Sequence, residues 1–178
     1  MIRPACCFGA ALILCVSTAT TAQSPAAPPP RLVFAFELHA QVAAPLELGD
    51  VPRGRRRIVQ ITGGTFAGSG LKGRILPGGA DWQIVRPDGF TELDTRYTLE
   101  TDTKELIYVQ NVGMRHAPPD VMKKLLAGES VNPALVYFRT TPVFETAAPD
   151  LQWLTRSTFV GTGERYPNEV VVRFWRVE

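Results

Sequence analysis

The feature that most constrains the fold of this chain is an alternation of apolar and polar side chains with a period of two residues. It is clearest over residues 32–42, where Leu32, Phe34, Phe36 and Leu38 alternate with positions that include Glu37 and His39. This period is typical of a half-buried β-strand, because successive side chains of a strand point to opposite faces. Similar patterns predict further strands at about 56–62, 71–76, 82–86, 91–101, 105–113, 134–141, 153–161 and 169–177.

Turn-forming residues separate the predicted strands, and only one segment indicates a helix. The turn signals are Gly63-Gly64, Pro77-Gly78-Gly79, Pro87-Asp88-Gly89 and Tyr166-Pro167-Asn168. The helix is predicted from Pro119 to Gly128, with a proline at its start and a glycine at its end. Many short strands with one short helix favour an antiparallel sandwich or closed barrel over β-α-β units.

The N-terminal residues have the three-part layout of a secretory signal peptide. Arg3 supplies a positive start, residues 5–16 are an apolar run, and small residues follow as far as Ala22. The division expected is a signal peptide over 1–22, a Pro/Ala-rich tether over 23–30 and a single β-domain over 31–178. The expected location is periplasmic or secreted, with no membrane attachment once the signal is cleaved. All three cysteines lie within the signal, so the exported domain would contain no thiol.

The charge and the motifs exclude several classes of function. Of the 19 Lys and Arg residues only Arg3 precedes residue 23, which leaves 18 against 17 Asp and Glu and predicts no nucleic-acid partner. The basic cluster Arg53 to Arg57 lacks interleaved aromatics, which favours a solvated loop leading into a strand. Gly68 to Gly73 matches G-x-G-x-x-G, but a strand rather than a helix follows it. With two histidines and no cysteine available, no metal site and no cofactor are predicted.

The chemistry that remains rests on carboxylates, arginines and aromatic rings. On the strand predicted at 91–101, Asp94 and Arg96 share a wholly polar face with Glu92, Thr98 and Glu100. Such a face is either solvated or lines a ligand cavity, and its spacing alone favours the surface. His116, in a loop beside two prolines, is a candidate for the mouth of a pocket.

The chain resembles the domain-of-unknown-function family numbered 3237, also called uncharacterised protein family 0311. The matching motifs are Ile61 to Gly68, Gly73 to Trp82, Leu93 to Tyr97, Tyr137 to Glu145, Trp153-Leu154 and Phe159 to Gly163. Together they span about residues 31–177. The resemblance implies a compact antiparallel β-barrel of the calycin or lipocalin type, with a central cavity and a homodimeric assembly.

The charged residues inside the matching motifs are Asp81, Asp94, Arg96, Arg139 and Glu145. Buried charges are costly unless they are paired or take part in binding or catalysis. On the strength of the resemblance we therefore expect the polar face of 91–101 to line the barrel interior.

The first functional hypothesis is a cofactor-independent lyase, decarboxylase or isomerase acting on a small aromatic or carbonyl compound. In that site Arg96 or Arg139 holds an anionic oxygen, while Asp81, Asp94 or Glu145 moves a proton. Trp82, Tyr108 and Tyr137 bind the substrate ring, with His116 at the mouth. The alternatives are a periplasmic protein that binds a small molecule without catalysis, and a structural protein with a filled barrel.

Overall fold

The computed structural model describes residues 28–178, which fold into ten β-strands and two short α-helices. The strands are β1 Leu32–Val42, β2 Leu46–Val51, β3 Gly54–Gly68, β4 Leu71–Ile75, β5 Gly79–Val85, β6 Thr91–Thr101, β7 Leu106–His116, β8 Tyr137–Glu145, β9 Thr158–Arg165 and β10 Glu169–Val177. The helices are α1 Pro119–Leu126 and α2 Gln152–Thr155. The predicted signal peptide and residues 23–27 of the predicted tether lie outside the described residues.

Antiparallel pairing closes the sheet into a barrel. The strands follow the order β1-β10-β9-β8-β7-β6, and β4 and β5 both bridge β6 to β3. The ring closes where β1 pairs with β3, through register partners such as Leu38 and Phe66. The predicted antiparallel β-barrel is therefore confirmed.

The long strand β3 pairs with two strands along each of its edges. Its first part pairs with β2 and β5, and its second part pairs with β1 and β4. The turn predicted at Gly63-Gly64 is wrong, because the strand runs through both residues. A side chain at Gly64, where φ is +136°, would bring its Cβ to 2.0 Å from the carbonyl oxygen of His39. Glycine here allows β1 and β3 to approach each other closely.

One half of the barrel interior is filled by an aromatic core of five phenylalanines: Phe36, Phe66, Phe144, Phe159 and Phe174. Their rings meet edge to face or tilted, with centroids 5.1 Å apart for Phe36 and Phe174 and 5.0 Å apart for Phe144 and Phe159. Such rings pack well at these separations. Phe36 and Phe174 have no exposed surface.

Most predicted strands are confirmed, but three stretches differ. The strand predicted at 134–141 begins only at Tyr137, because residues 133–135 form a 3₁₀ helix. The first half of the strand predicted at 153–161 is wrong, because residues 152–155 form α2 and β9 begins at Thr158. Leu154 is 1% exposed and joins the core from this helical turn, so its apolar character reflects packing at a barrel end. Strand β2 was missed, since five of its six residues are exposed and carry no burial pattern. The predicted helix at 119–128 is confirmed over 119–126.

Within residues 28–178, neither helix is long and apolar enough to cross a membrane.

The aromatic core should dominate stability. Replacing Phe174 by Ala should lower the free energy of unfolding by about 3–5 kcal/mol, because the ring is fully buried among other rings. Urea denaturation measures this loss. Phe34→Ala is the matched control, since Phe34 is 43% exposed and contacts Trp175 at the surface. Equal losses in the two variants would contradict this account of the core.

Candidate functional site

The other half of the barrel interior carries polar side chains, and strand β5 supplies the first of them. Asp81 and Gln83 point into the barrel, whereas Trp82 between them points outward and is 37% exposed. This arrangement follows from strand alternation. In the sheet, Asp81 is paired with Val59 on the adjacent strand β3 and with Thr95 on the adjacent strand β6. Both of these residues also face inward.

Two hydrogen bonds fix the carboxyl group of Asp81. The side-chain amide of Gln83 donates to Oδ2 over 2.6 Å, and the backbone N–H of Asp94 donates to Oδ1 over 3.2 Å. Both donors stabilise the ionised carboxyl. Burial has the opposite and larger effect, so the pKa of Asp81 is raised above its ordinary value. The carboxyl group is therefore held in a defined position in an environment that favours its protonated form.

Strand β7 adds an arginine and an amide to the same region. Its inward face begins with Ile107 and Val109, which are fully buried, and continues with Asn111 and Arg115, each 3% exposed. Burial lowers the pKa of Arg115 to about 10, while the Asp81 carboxylate counteracts that effect. Arg115 thus remains a cation at neutral pH, inside the barrel and near Asp81. Its guanidinium carbon lies 5.7 Å from the centroid of the Phe138 ring.

These side chains surround an enclosed space that we call the interior cavity, with a volume of about 40 Å³. Its polar wall comes from β5, β6 and β7, and its apolar wall from β1, β3 and β10. The polar wall consists of Asp81, Gln83, Thr95, Tyr97, Asn111 and Arg115, and the apolar wall of Leu38, Ala40, Val42, Val59, Ile61, Val170 and Val172. Phe138, Thr140 and Arg165 complete the lining.

Several polar atoms of the lining are buried and have no hydrogen-bond partner within residues 28–178. They are Gln83 Oε1, Tyr97 OH, Asn111 Oδ1, Arg115 Nε and Thr140 Oγ1. Burying such groups without partners costs free energy, and native interiors rarely do so. Five of them around one space form a polar surface that is suited to binding a polar ligand or ordered water.

Two further arginines lie close to this space. Arg165 lines the cavity, and Arg57 is 4% exposed on the inward face of β3, opposite Gln83. The prediction of a solvated loop over residues 53–57 is therefore wrong for Arg57, because β3 begins at Gly54 and alternation turns this side chain inward. Its Nε lies 3.6 Å from the carboxylate of Glu47, which is itself 45% exposed.

The polar face of β6 lies on the outside of the barrel. Placing it inside was wrong, because Leu93, Tyr97 and Leu99 occupy the inward face and leave Asp94 and Arg96 outside. Asp94 and Arg96 are 41% and 47% exposed and form an ion pair 3.2 Å long. Of the five charged residues predicted as catalytic, only Asp81 lines the interior cavity.

Arg139, Tyr137 and His116 meet on a different outer surface. The His116 and Tyr137 rings stack with centroids 4.8 Å apart, and the guanidinium carbon of Arg139 lies 4.9 Å from the Tyr137 centroid. Arg139 and Tyr137 border an open groove of about 570 Å³. They face away from Asp81, so these residues do not form one site with it.

Glu145, Tyr108 and Trp82 also lie on the outside. Glu145 is opposite Tyr108 on the neighbouring strand, and both border a shallow depression. Tyr108 also borders a second depression, together with Trp82 and Arg96. The nine residues predicted for the site are thus distributed between the interior and separate outer surfaces.

Among residues 28–178 there is no group of three or more His, Cys, Asp or Glu side chains close enough to hold a metal ion.

Most of the cavity lining was not predicted from the sequence. Gln83 and Asn111 lie in segments that were predicted as strands, whereas Arg115 and His116 were placed in a loop and Arg57 in a solvated loop leading into a strand. The loop prediction for Arg115 and His116 is wrong, because β7 continues to His116. A usable signal was present, since in β7 the alternating face Ile107, Val109, Asn111 and Arg115 changes from apolar to polar along the strand. Polar residues that continue the phase of a buried apolar face point to an interior polar cluster.

Comparison with known proteins gives a consistent family and fold. The sequence model of a family described as "Protein of unknown function (DUF3237)" matches residues 30–177. A UPF0311 protein of Rhodopseudomonas palustris is 42% identical over 139 residues, which cover 78% of this chain and 91% of that protein. A solved structure described as a beta-barrel like protein from Acinetobacter baumannii has a TM-score of 0.77 and 41% identity, covering 87% of this chain and all of that one.

A more distant solved structure shares the fold alone. It is described as an enzyme from Penicillium herquei, and it has a TM-score of 0.65 at 19% identity, covering 88% of this chain and 100% of that one.

The unpartnered atoms predict an unusual response to mutation. Tyr97→Phe should raise the free energy of unfolding by about 1 kcal/mol, because the buried hydroxyl has no protein partner to lose. Tyr166→Phe is the matched control and should lower it, since that hydroxyl donates to Glu164 over 2.7 Å. Urea denaturation of both variants checks the two signs. A loss of stability in Tyr97→Phe equal to that in Tyr166→Phe would contradict the prediction.

Proposed function

Because the chain belongs to the DUF3237 family of proteins of unknown function, also described as UPF0311, we propose a function from the chemistry of its own interior cavity. The protein is a cofactor-independent enzyme of the lyase or isomerase type that moves a proton on a small carbonyl compound. The observation that carries this proposal is the inward-facing, hydrogen-bonded carboxyl group of Asp81, which lines the same cavity as the buried cation Arg115.

Asp81 supplies the acid–base group. A carboxyl whose pKa is raised exchanges its proton closer to neutral pH than an exposed one does. Its two hydrogen-bond donors hold the group in place, so that one orientation is presented to a bound molecule. Positioned acids and bases of this kind typically contribute a factor of about 10²–10⁴ in rate.

Arg115 and the neighbouring donors supply stabilisation of negative charge. When a base removes a proton from the carbon next to a carbonyl, the electron pair moves onto the carbonyl oxygen and an enolate forms. The Arg115 guanidinium and the Tyr97 hydroxyl face the same cavity and are suited to binding that oxygen. Donors that are already in place as charge develops are a strong source of rate enhancement.

Two reactions pass through an enolate in such a site. If the ionised Asp81 carboxylate removes a proton and returns it to a different atom of the enolate, the substrate is isomerised. If the substrate is a 3-oxo acid, its carbon–carbon bond breaks, carbon dioxide leaves, the resulting enolate takes a proton from the Asp81 carboxylic acid, and the Asp81 carboxylate regains a proton from water. Each outcome needs one proton-transfer group and one cation.

A structural neighbour supports the view that this fold can carry a catalytic site. The Penicillium herquei protein that shares this fold is described as an enzyme, so a barrel of this architecture can hold a catalytic site.

Replacement of the carboxyl group tests the role of Asp81. The purified protein is incubated in deuterium oxide with pyruvate, 2-oxobutyrate or acetoacetate, while proton NMR follows deuterium uptake and loss of carbon dioxide. Asp81→Asn should lower the rate of the accepted compound by about 100-fold or more. Asp102→Asn, the same change at a side chain 57% exposed beside Lys72, should leave the rate unchanged.

Equal rates in the wild type and Asp81→Asn would remove Asp81 from the mechanism. Saturable binding of one of these compounds without any product would favour the alternative of a small-molecule binding protein.

The raised pKa of Asp81 also predicts a pH dependence for deuterium exchange. The base is active only when it is ionised, and burial extends the protonated form to pH values above the ordinary pKa of 3.8. A plot of kcat/KM against pH should therefore rise through a midpoint above 3.8 and level off at higher pH. In Arg115→Gln the midpoint should move further up, because the Arg115 charge lowers the pKa of Asp81. A midpoint that this substitution does not move would contradict the assignment.

A further inference from the structure

We infer that the ligand of the interior cavity is a short-chain carboxylate, such as a small oxo acid, with its anionic group at the polar wall and its hydrocarbon part against the apolar wall. This inference rests on the proposed function and narrows its substrate class.

The charge in and around the cavity is unbalanced in favour of cations. Arg115 and Arg57 are 3% and 4% exposed, and Arg165 lines the cavity, whereas Asp81 is the one carboxylate in the lining. Glu47, which approaches Arg57, is 45% exposed and lies at the outer side. Buried guanidinium groups are costly without counter-charges. A bound anion supplies the counter-charge that the lining lacks.

The unpartnered donors match the oxygens of a carboxylate. Arg115 Nε, Tyr97 OH and Thr140 Oγ1 are buried, and each can donate a hydrogen bond. A carboxylate accepts several such bonds at once, and a guanidinium is the side chain best shaped to donate to it. A neutral amide of the same shape offers one acceptor oxygen to these donors, while its NH₂ group suits the unpartnered acceptors Gln83 Oε1 and Asn111 Oδ1. The excess of buried cations therefore decides in favour of the anion.

The two walls of the cavity require a molecule with two different ends. Opposite Arg115 and Asn111, the lining consists of aliphatic side chains, among them Val59, Ile61 and Val172. These residues are 3–5% exposed and offer no polar group to a ligand. A methyl or ethyl group buried there gains the ordinary hydrophobic free energy. The arrangement therefore favours a carboxylate with a short alkyl part over an inorganic anion.

The volume sets an upper limit to the ligand. The cavity measures about 40 Å³, whereas an apolar cavity of about 150 Å³ accommodates benzene. On the same scale the cavity holds about three water molecules as it stands, so even propionate or pyruvate enters only if lining side chains move apart. Each added heavy atom requires more movement, which favours the small carbonyl compound over the aromatic compound among the two substrates that the sequence suggested.

A binding experiment with matched probes tests the inference without depending on catalysis. Propionate and its neutral isostere propionamide are titrated against the wild-type protein, and the shift of Tm is followed as a function of concentration. Propionate should raise Tm in a saturable way, while propionamide should bind at least about tenfold more weakly. Benzoate, which is an anion but too large, should produce no such shift.

Three variants locate the site. Arg115→Gln should abolish the effect of propionate, and Arg74→Gln, at a side chain 62% exposed beside Glu100, should retain it. Val59→Thr places a hydroxyl on the apolar wall and should weaken propionate more than acetate. If Arg115→Gln fails to fold, the comparison of propionate with propionamide in the wild type still decides the question.

The inference is overturned if propionate does not bind, or if propionamide binds as well as propionate. It is also overturned if benzoate binds more tightly than propionate, or if folded Arg115→Gln binds propionate normally. Its failure differs from that of the proposed function. Carboxylate binding without turnover of any oxo acid would keep the ligand class and remove the catalysis. Turnover of a neutral carbonyl compound by a protein that does not bind carboxylates would keep the catalysis and remove the ligand class.

Discussion

Closure of the sheet places the inward side chains of its strands, within residues 28–178, in one interior space. That space is divided along its length between the aromatic core and the interior cavity. The rings pack against one another and stabilise the fold, so the other half can carry groups that oppose folding. Buried arginines and hydroxyls without partners are such groups. Their concentration around one space suits the binding of a polar ligand and comes at some cost in stability.

The phase of each strand decides which charges can belong to that space. On β6, Tyr97 and Leu99 anchor the inward face, and this leaves Asp94 and Arg96 in solvent. On β5 the same rule turns Asp81 inward between outward-facing neighbours. Charged residues of two neighbouring family motifs thus separate into a solvated ion pair and an interior carboxyl, although they are close in the sequence.

The strands were predictable because their alternation reflects burial directly. Strand β6 appears over residues 91–101 as expected, whereas exposed β2 and the helical turn that carries Leu154 follow no such alternation. The site was less predictable. Asp81 was identified, but Arg57 and Arg115 were not, because a motif shows which charges are present and not which way they point. Their positions depend on the register that pairs β3, β5, β6 and β7.

A crystal structure of the protein grown with propionate would test the central claim most directly, because it would show where a short carboxylate binds. The account predicts propionate in the interior cavity, with carboxylate oxygens within hydrogen-bonding distance of Arg115 and the alkyl group against Val59 and Val172. Propionate found only in the outer grooves near Arg139 or Arg96, with none inside the barrel, would contradict it.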